Sequence, residues 1–345
     1  MKKIGIIGHF GGKKEFFDGQ TVKTKILCDE LLRTGNFEIY KVDTYYVRKN
    51  PLKVFLQTVK SMITCDRVIV LIAQNGMKVF PALLHFLKKV TKAKTYHDVL
   101  GGDLPMIIEE NPKLVKYLNS FEMNWVEFQS MQDKMIQQGV KNVSILPNIK
   151  RLRAIDGFKE DDYCKKPLRF CTFSRVCKEK GITDAVETIH KLNAEYGETI
   201  AKLDIYGPVF DGYSEEFEEL QKNFGDAIKY CGIIDFNSSV DTLKDYDALL
   251  FPTFYVGEGF PGTVIDCYHS AVPVIATDWN ANKEIIIDGV TGIVYPNDKF
   301  NDLYEAVKWS VENRDDLIEM KKNALKESEK YNADTLMKVI IDAIS

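Results

Sequence analysis

The stretch "DALLFPTFYVGEGFPGTVIDCYHSAVPVIATD" (247–278) places a glycine-rich turn between two short apolar runs. The runs "DALLFP" (247–252) and "VPVIAT" (272–277) have the length and residue types of buried β-strands. Pro261 suits the first turn of a helix, where its missing N–H costs nothing. A strand, a turn, a helix and a second strand make the βαβ unit of a parallel sheet, so this stretch predicts an α/β fold.

The same alternation of strands and helices runs along the whole chain. The segment "TVKTKILCDELLRTG" (21–35) has helical periodicity, with Leu31 and Leu32 on its apolar face, and Gly35 ends it. Such alternation implies parallel sheets covered by helices on both faces. Strands are predicted at 3–8, 37–42, 67–73, 94–97, 124–129, 143–147, 168–173, 202–207, 228–232, 247–252, 272–277 and 292–296.

The length of 345 residues fits two domains. The stretch 147–167 is polar, is bounded by prolines and lacks either periodicity, so it predicts the boundary. We expect two doubly wound, Rossmann-like domains at 1–155 and 156–328 with a cleft between them, and a C-terminal helix within 329–345 that packs back toward the first domain. Ligands in such sheets bind outside the carboxyl ends of the strands.

The charge is divided unevenly between the two halves. Residues 1–153 hold 25 Lys and Arg against 14 Asp and Glu, a net +11, whereas the remainder carries −15. The segments 45–60 and 86–94 interleave cationic with apolar residues, a pattern typical of contact with an anionic membrane surface or a lipid-linked phosphate. A solvated basic face is the alternative. No nucleic-acid partner is expected, because the chain has no recognised nucleic-acid motif and is acidic overall.

Several protein classes are excluded by composition. No apolar run approaches the roughly 20 residues that span a bilayer. The start "MKKIGIIGHFGG" (1–12) reads as a first strand rather than a signal peptide, so a cytoplasmic protein is expected. The seven cysteines are odd in number and form no CxxC pair, which predicts reduced thiols and no zinc site.

The turn at 257–266 has the features of an anion site. Gly259 and Gly262 let the backbone approach a ligand closely, and the N–H groups near 260–263 would point at a bound anion. Glu258 lies just outside this helix start and Asp266 lies within the helix. Carboxylates beside an anion site are favourable if they bind the neutral hydroxyls that flank it. A diphosphate between two sugar rings has this layout.

Positive charge for such a ligand comes from "FSRVCKEKG" (173–181), which follows a predicted strand and opens a helix. Arg175 and Lys180 would clamp a diphosphate and stabilise the charge on a leaving nucleoside diphosphate. A solvated lysine before a glycine is the alternative for Lys180 alone. No DxD pair stands at a strand end, so the two cations would do the work that Mg²⁺ does elsewhere.

Four blocks together carry a family resemblance: 173–181, "LDIYGP" (203–208), 247–278 and "NKEIIIDGVTGIVYP" (282–296). In order and spacing they resemble the retaining family 4 glycosyltransferases, which have the GT-B fold. The first half matches more loosely, through its glycine-rich first loop, "YHD" and "SILPNI". The resemblance implies that a sugar is transferred from a nucleotide diphosphate donor with retention at the anomeric carbon, without a required metal or other cofactor.

The resemblance also implies residue roles. The family's E-x7-E element falls on Glu258, which would face the donor sugar or phosphates, and on Asp266, which would bind the ribose. Asp266 departs from the usual Glu by one methylene. His97 resembles a histidine that contacts the transferred sugar, although a satisfied histidine at a strand end is the alternative. The predicted catalytic residues are His97, Glu258, Arg175 and Lys180, and the predicted donor-binding residues are Gly12, Gly19, Arg175, Lys180, Glu258, Gly259, Phe260, Pro261, Gly262, Thr263 and Asp266.

The resemblance thus favours a hexosyltransferase with a nucleotide-sugar donor, UDP-hexose above others, and a glycan or lipid-linked acceptor in surface polysaccharide biosynthesis. The first domain would be the acceptor side and the second would bind the donor. The enzyme would be cytoplasmic, peripheral at the inner face of the membrane. Two alternatives stay open, a catalytically silent sugar-nucleotide-binding subunit and a GT-B epimerase.

Overall fold

The computed structural model describes residues 2–13, 18–163, 165–296 and 300–345. The chain divides into two compact units, the first formed by Met1–Lys150 with Ala333–Ser345 and the second by Arg151–Asn332. The division after residue 150 lies a few residues before the sequence-based boundary at 155.

The first unit contains a parallel six-stranded sheet in the order β2-β1-β3-β4-β5-β6. Its strands are β1 Lys2–Gly8, β2 Phe37–Asp43, β3 Arg67–Val70, β4 Lys94–Asp98, β5 Met123–Val126 and β6 Val143–Ile145. Its helices are α1 Gly19–Arg33, α2 Pro51–Thr64, α3 Gln74–Met77, α4 Phe80–Lys88, α5 Leu104–Glu110, α6 Leu114–Leu118 and α7 Gln129–Gln137.

The second unit contains another parallel six-stranded sheet, in the order β12-β11-β10-β7-β8-β9. Its strands are β7 Leu168–Phe173, β8 Ala201–Tyr206, β9 Ile228–Gly232, β10 Ala248–Phe251, β11 Val274–Thr277 and β12 Gly292–Tyr295. Its helices are α8 Ile182–Tyr196, α9 Ser214–Gln221, α10 Ser239–Leu243, α11 Gly262–His269, α12 Asn282–Ile285, α13 Phe300–Glu312 and α14 Arg314–Glu327. All the predicted strands are present, with ends shifted by up to three residues.

The last helix, α15 Ala333–Ile344, belongs to the first unit. Ile340 and Ile344 are fully buried and join Ile4 and Ile6 of β1 in one apolar cluster. The Tyr96 hydroxyl donates to the Ala343 carbonyl at 2.8 Å, which ties the end of α15 to β4. This returning helix therefore supplies part of the core that stabilises the first sheet.

The prediction for α1 was wrong in one respect. Leu32 is 44% exposed, while Lys23 and Glu30 are buried. The apolar residues of the sequence therefore do not mark the whole inward face, because a charged residue can be buried where it meets a partner of opposite charge. The partners of Lys23 are Asp98, the last residue of β4, and Glu127, which follows the neighbouring strand β5.

Two further sequence expectations concern the cysteines and the membrane. The thiols of Cys28, Cys65, Cys171, Cys177, Cys231 and Cys267 are free, and Cys164 lies outside the described residues. In the described parts of the chain, no helix has the length and apolar character needed to cross a bilayer.

Candidate functional site

The chain order of the second sheet reverses between β7 and β10. These two strands are neighbours, but the chain continues from β7 toward β8 and from β10 toward β11, in opposite directions across the sheet. Loops at the carboxyl ends of such strands separate and form a crevice where ligands bind. Arg175 and Lys180 follow β7, and Glu258 follows β10. The topology therefore brings the predicted cations and the first predicted acid to one place.

Lys180 and Glu258 form a buried ion pair between their side chains. Their side chains are 8% and 10% exposed, respectively. The Thr253 hydroxyl donates to the same Glu258 carboxylate at 3.0 Å. Both donors bind the same carboxylate oxygen, Oε2, and a buried carboxylate needs such partners. The alternative of a solvated Lys180 does not hold in this structure.

One aromatic ring contacts both cations. The Arg175 guanidinium lies 5.3 Å from the centre of the Tyr255 ring, and the Lys180 ammonium lies 5.5 Å from it. Lys180 also lies 5.1 Å from the centre of the Phe251 ring. Contacts of this kind attract a cation to the ring face. Tyr255 therefore holds the two predicted diphosphate-binding groups beside each other.

The loop that carries Tyr255 and Glu258 is braced by residues at the end of β11. The Thr277 hydroxyl donates to the Thr253 carbonyl at 2.5 Å, and the Trp279 indole donates to the Tyr255 carbonyl at 2.7 Å. The segment 253–258 is thus tied to a second strand end through its backbone. Side chains on a braced loop keep their positions better than those on a free loop.

Glycine permits the close approach that places Lys180. Gly181 has a φ of +66°, and a Cβ added there would lie 2.2 Å from the Pro252 carbonyl oxygen. A larger residue would therefore push the loop after β7 away from the loop after β10. The glycine in "KEKG" is a sequence signal for this contact, whereas the partner Pro252 could not be identified without the fold.

Helix α11 begins with unsatisfied polar groups near these side chains. Pro261 precedes the helix, and no side chain caps it within the described residues. The first N–H groups of a helix have no partners inside it and attract anions. The buried Thr263 hydroxyl also finds no hydrogen-bond partner among the residues described. Gly259 and Gly262 are half-buried, so a ligand can approach this helix start. The first N–H groups of α11 and the Thr263 hydroxyl are the donors that an anionic ligand needs.

Phe260 and Asp266 turn inward from this helix start. The Phe260 ring is buried and meets the Tyr331 ring edge-on, with 5.4 Å between ring centres. Asp266 is almost fully buried, and its carboxylate accepts a hydrogen bond from the Ser239 hydroxyl at 2.9 Å. Asp266 thus links α11 to α10 in this structure, and its predicted contact with a ribose stays a prediction.

Gly12 and Gly19 lie in the first unit. Gly12 has a φ of +62°, and its N–H donates to Asp43 at 2.8 Å. Gly19 is the exposed first residue of α1, where Asp18 caps the helix by accepting from the Thr21 N–H at 3.0 Å. A carboxylate already occupies this helix start. The predicted roles of Gly12 and Gly19 in donor binding stay predictions.

His97 lies inside β4 and has no exposed surface. Its Nδ1 is 3.1 Å from the Asn124 side-chain oxygen, and its ring stacks on Phe121 with 5.4 Å between centres. Burial lowers the pKa of His97 to about 4, against the Asn124 hydrogen bond that raises it. The imidazole is therefore neutral near pH 7. Its Nε2 is buried and has no hydrogen-bond partner among the described residues, so only one of the two ring nitrogens is satisfied. The predicted contact of His97 with a transferred sugar stays a prediction.

Acid will destabilise the first unit through His97. The pKa of His97 is lower in the folded protein than the ordinary value of 6.5, so the unfolded chain binds a proton more readily. The folded state is therefore fully stable above pH 6.5 and loses stability as the pH falls toward 4. By pH 5 the contribution lost is about 2 kcal/mol. Urea unfolding at pH 7 and pH 5 should show a smaller loss for His97→Gln than for the unchanged protein. Equal losses in the two proteins would contradict the buried neutral histidine.

Comparison with known proteins identifies the class of this fold. Sucrose-phosphate synthase of Thermosynechococcus elongatus superposes with a TM-score of 0.75 at 12% identity over 99% of this chain and 98% of its own. HepE of Anabaena, in complex with UDP and glucose, has a TM-score of 0.73 at 12% identity over 100% and 99%. The lipopolysaccharide outer core galactosyltransferase WaaB, in its apo form, has 0.71 at 13% over 100% and 99%. The fold is that of the GT-B glycosyltransferases, as predicted.

A family model matches a stretch that lies within the second unit. Residues 167–313 match the model of the family described as glycosyl transferases group 1. An uncharacterised glycosyltransferase of Methanocaldococcus jannaschii is 23% identical over 181 residues, which cover 50% of this chain and 44% of that protein. The match thus spans less than half the length of that curated relative. These findings confirm the resemblance to glycosyltransferases, while the narrower assignment to family 4 stays a prediction.

Proposed function

We propose that this protein is a retaining glycosyltransferase that moves a hexose from a nucleotide diphosphate sugar to a glycan or lipid-linked acceptor in surface polysaccharide biosynthesis. UDP-hexose is the favoured donor. Structures of HepE with UDP-glucose and with UDP support this choice, as does the galactosyltransferase function of WaaB.

One observation carries the proposal: Arg175, Lys180 and Glu258 meet at the reversal point of the second sheet, beside the uncapped start of α11. A diphosphate needs cations and N–H donors, which Arg175, Lys180 and α11 supply. A sugar hydroxyl needs an acceptor, which the Glu258 carboxylate supplies. The arrangement therefore suits a ligand in which a diphosphate joins a sugar.

The chemistry follows from these groups. The bond between the anomeric carbon and the diphosphate oxygen breaks, and negative charge builds on the leaving diphosphate. Arg175 and Lys180 stabilise that charge, so no divalent metal is required. The acceptor oxygen attacks the anomeric carbon from the face that the diphosphate leaves, and a phosphate oxygen takes its proton. The configuration at the anomeric carbon is then retained.

Thermal unfolding in the presence of nucleoside diphosphates tests the donor site. A ligand at about 100 times its dissociation constant stabilises the native state by roughly 2.7 kcal/mol. UDP should raise the melting temperature more than ADP or GDP does, and EDTA should not remove the effect. If none of the three nucleotides raises the melting temperature, the proposed donor site is wrong.

Transfer is tested by the release of UDP from UDP-glucose, UDP-galactose and UDP-N-acetylglucosamine with a panel of glycan and lipid-linked acceptors. Acceptor-dependent release, with the anomeric configuration of the product determined by NMR, would support a retaining transferase. UDP binding without release from any pair would favour a silent binding subunit. Conversion of the donor in the absence of an acceptor would favour an epimerase.

A further inference from the structure

One segment of the first unit is strongly basic. Residues 45–94 contain ten Lys or Arg and a single acid, Asp66. The segment includes α2, which packs on the first sheet, and α4, which contacts α2. A solvated basic face, one of the two sequence-based alternatives, should present polar side chains between these cations.

Helix α2 instead presents an apolar stripe to solvent. Leu52, Leu56 and Ile63 are each more than half exposed, and they recur at the spacing of one helical face. The opposite face of α2 is also apolar, and its Val54 and Met62 are buried against the sheet. A helix that is apolar on both faces has one face without a partner in the folded unit.

Helix α4 and its flanks repeat this pattern. Val79, Phe86 and Val90 are exposed by 58%, 57% and 80%, and their spacing again places them on one helical face. Phe80 and Leu84 are buried beneath them. Scattered exposed apolar residues are ordinary in proteins, but two stripes on adjoining helices mark an interaction surface.

Lysines flank the stripes and contact aromatic rings. The Lys53 ammonium lies 5.1 Å from the centre of the Tyr46 ring, and the Lys60 ammonium lies 5.7 Å from that of Tyr40. Lys89 lies 5.1 Å from the centre of the Phe86 ring itself. Lysines beside apolar and aromatic residues suit a membrane interface, where the apolar parts enter the acyl boundary and the ammonium groups meet the headgroups.

We propose that the α2–α4 face, formed by Leu52, Leu56, Ile63, Val79, Phe86 and Val90 with Lys53, Lys60 and Lys89, binds the surface of an anionic lipid bilayer. The apolar stripes enter the headgroup region, and the lysines bind anionic headgroups. The positive charge of this face favours an anionic bilayer over a second copy of the chain as the partner, because two such faces would repel each other. The inference concerns the first unit alone and stands without the proposed donor site.

Vesicle co-sedimentation tests the α2–α4 face. The unchanged protein should bind vesicles of phosphatidylcholine mixed with phosphatidylglycerol at lipid concentrations roughly tenfold lower than vesicles of phosphatidylcholine alone. Leu56→Ser with Ile63→Ser should raise the lipid concentration required by roughly tenfold. Lys53→Gln with Lys60→Gln should reduce the preference for anionic vesicles.

Matched controls keep the test specific. Ile136→Ser with Val339→Ser replaces two exposed apolar residues elsewhere in the first unit and should leave binding unchanged. Thermal unfolding should be the same for all variants, since every substituted position is exposed. The proposal is overturned by failure to bind anionic vesicles, by equal binding to both vesicle types, or by unchanged binding of the Leu56→Ser, Ile63→Ser variant. A lipid-free dimer that this variant dissociates would show a protein interface instead.

Discussion

For the proposed sugar transfer, Lys180→Met is expected to lower kcat/KM by a factor of about 10²–10³, the loss that follows when one charged group that stabilises a transition state is removed. The structure places the Lys180 ammonium beside Glu258 and on the Tyr255 ring, at the start of the second unit's crevice. UDP affinity will fall as well, since the same group would bind the ground-state diphosphate. Steady-state kinetics and a UDP titration measure the two effects separately.

Stability must be separated from chemistry in this variant, because Lys180→Met leaves Glu258 buried without its cation. An uncompensated buried acid is costly, and we expect a loss of up to about 3 kcal/mol in the free energy of unfolding. Adding Glu258→Gln removes the charge and should restore most of this loss without restoring transfer. If the double variant recovers both stability and activity, Lys180 has only a structural role.

Lys178→Met provides the matched control for Lys180→Met. Lys178 lies two residues away, in the same turn, and its side chain is exposed. We expect it to leave both kcat/KM and unfolding unchanged. An effect as large as that of Lys180→Met would indicate general electrostatic attraction of the donor rather than the specific position of one ammonium group.

The positions of the strands could be predicted from the sequence because their chemistry is local. Strand β10, for example, is an apolar run that is buried throughout and is followed by a proline and a glycine-rich turn. A parallel strand buried on both faces needs such a continuous run. The order of the strands and the contact between the loops after β7 and β10 depend on residues far apart in sequence.

The site shows the same limit. Arg175, Lys180 and Glu258 could be selected from their motif and their places after strands. The role of Tyr255 could not, because a ring that contacts two cations from another loop leaves no periodic signal in the sequence. The burial of Asp266 could not be predicted either, because its partner Ser239 lies on another helix. The role of Tyr255 and the burial of Asp266 both depend on contacts between residues that are far apart in the sequence.

Lys23 illustrates this limit most clearly and leads to the second large effect. Its ammonium lies 2.8 Å from Asp98 and 2.9 Å from Glu127, and all three side chains are buried. Burial alone would lower the pKa of Lys23, but the two carboxylates outweigh it, so the pKa is raised and the lysine is charged. Lys23→Met removes the cation that the two acids share. We expect a loss of about 3–5 kcal/mol in the free energy of unfolding, measured in urea at pH 7.

The dependence on pH distinguishes this loss from a simple packing defect. Burial raises the pKa of Asp98 even beside Lys23, and it will raise it further in Lys23→Met. An acid whose pKa is raised on folding destabilises the native state as the pH rises through that pKa, so the deficit of the variant should be larger at pH 8 than at pH 5. Adding Asp98→Asn and Glu127→Gln should recover most of the stability at pH 8. A deficit that is equal at both pH values and survives the triple substitution would mean that Lys23 stabilises the first unit through its aliphatic stem rather than through its charge.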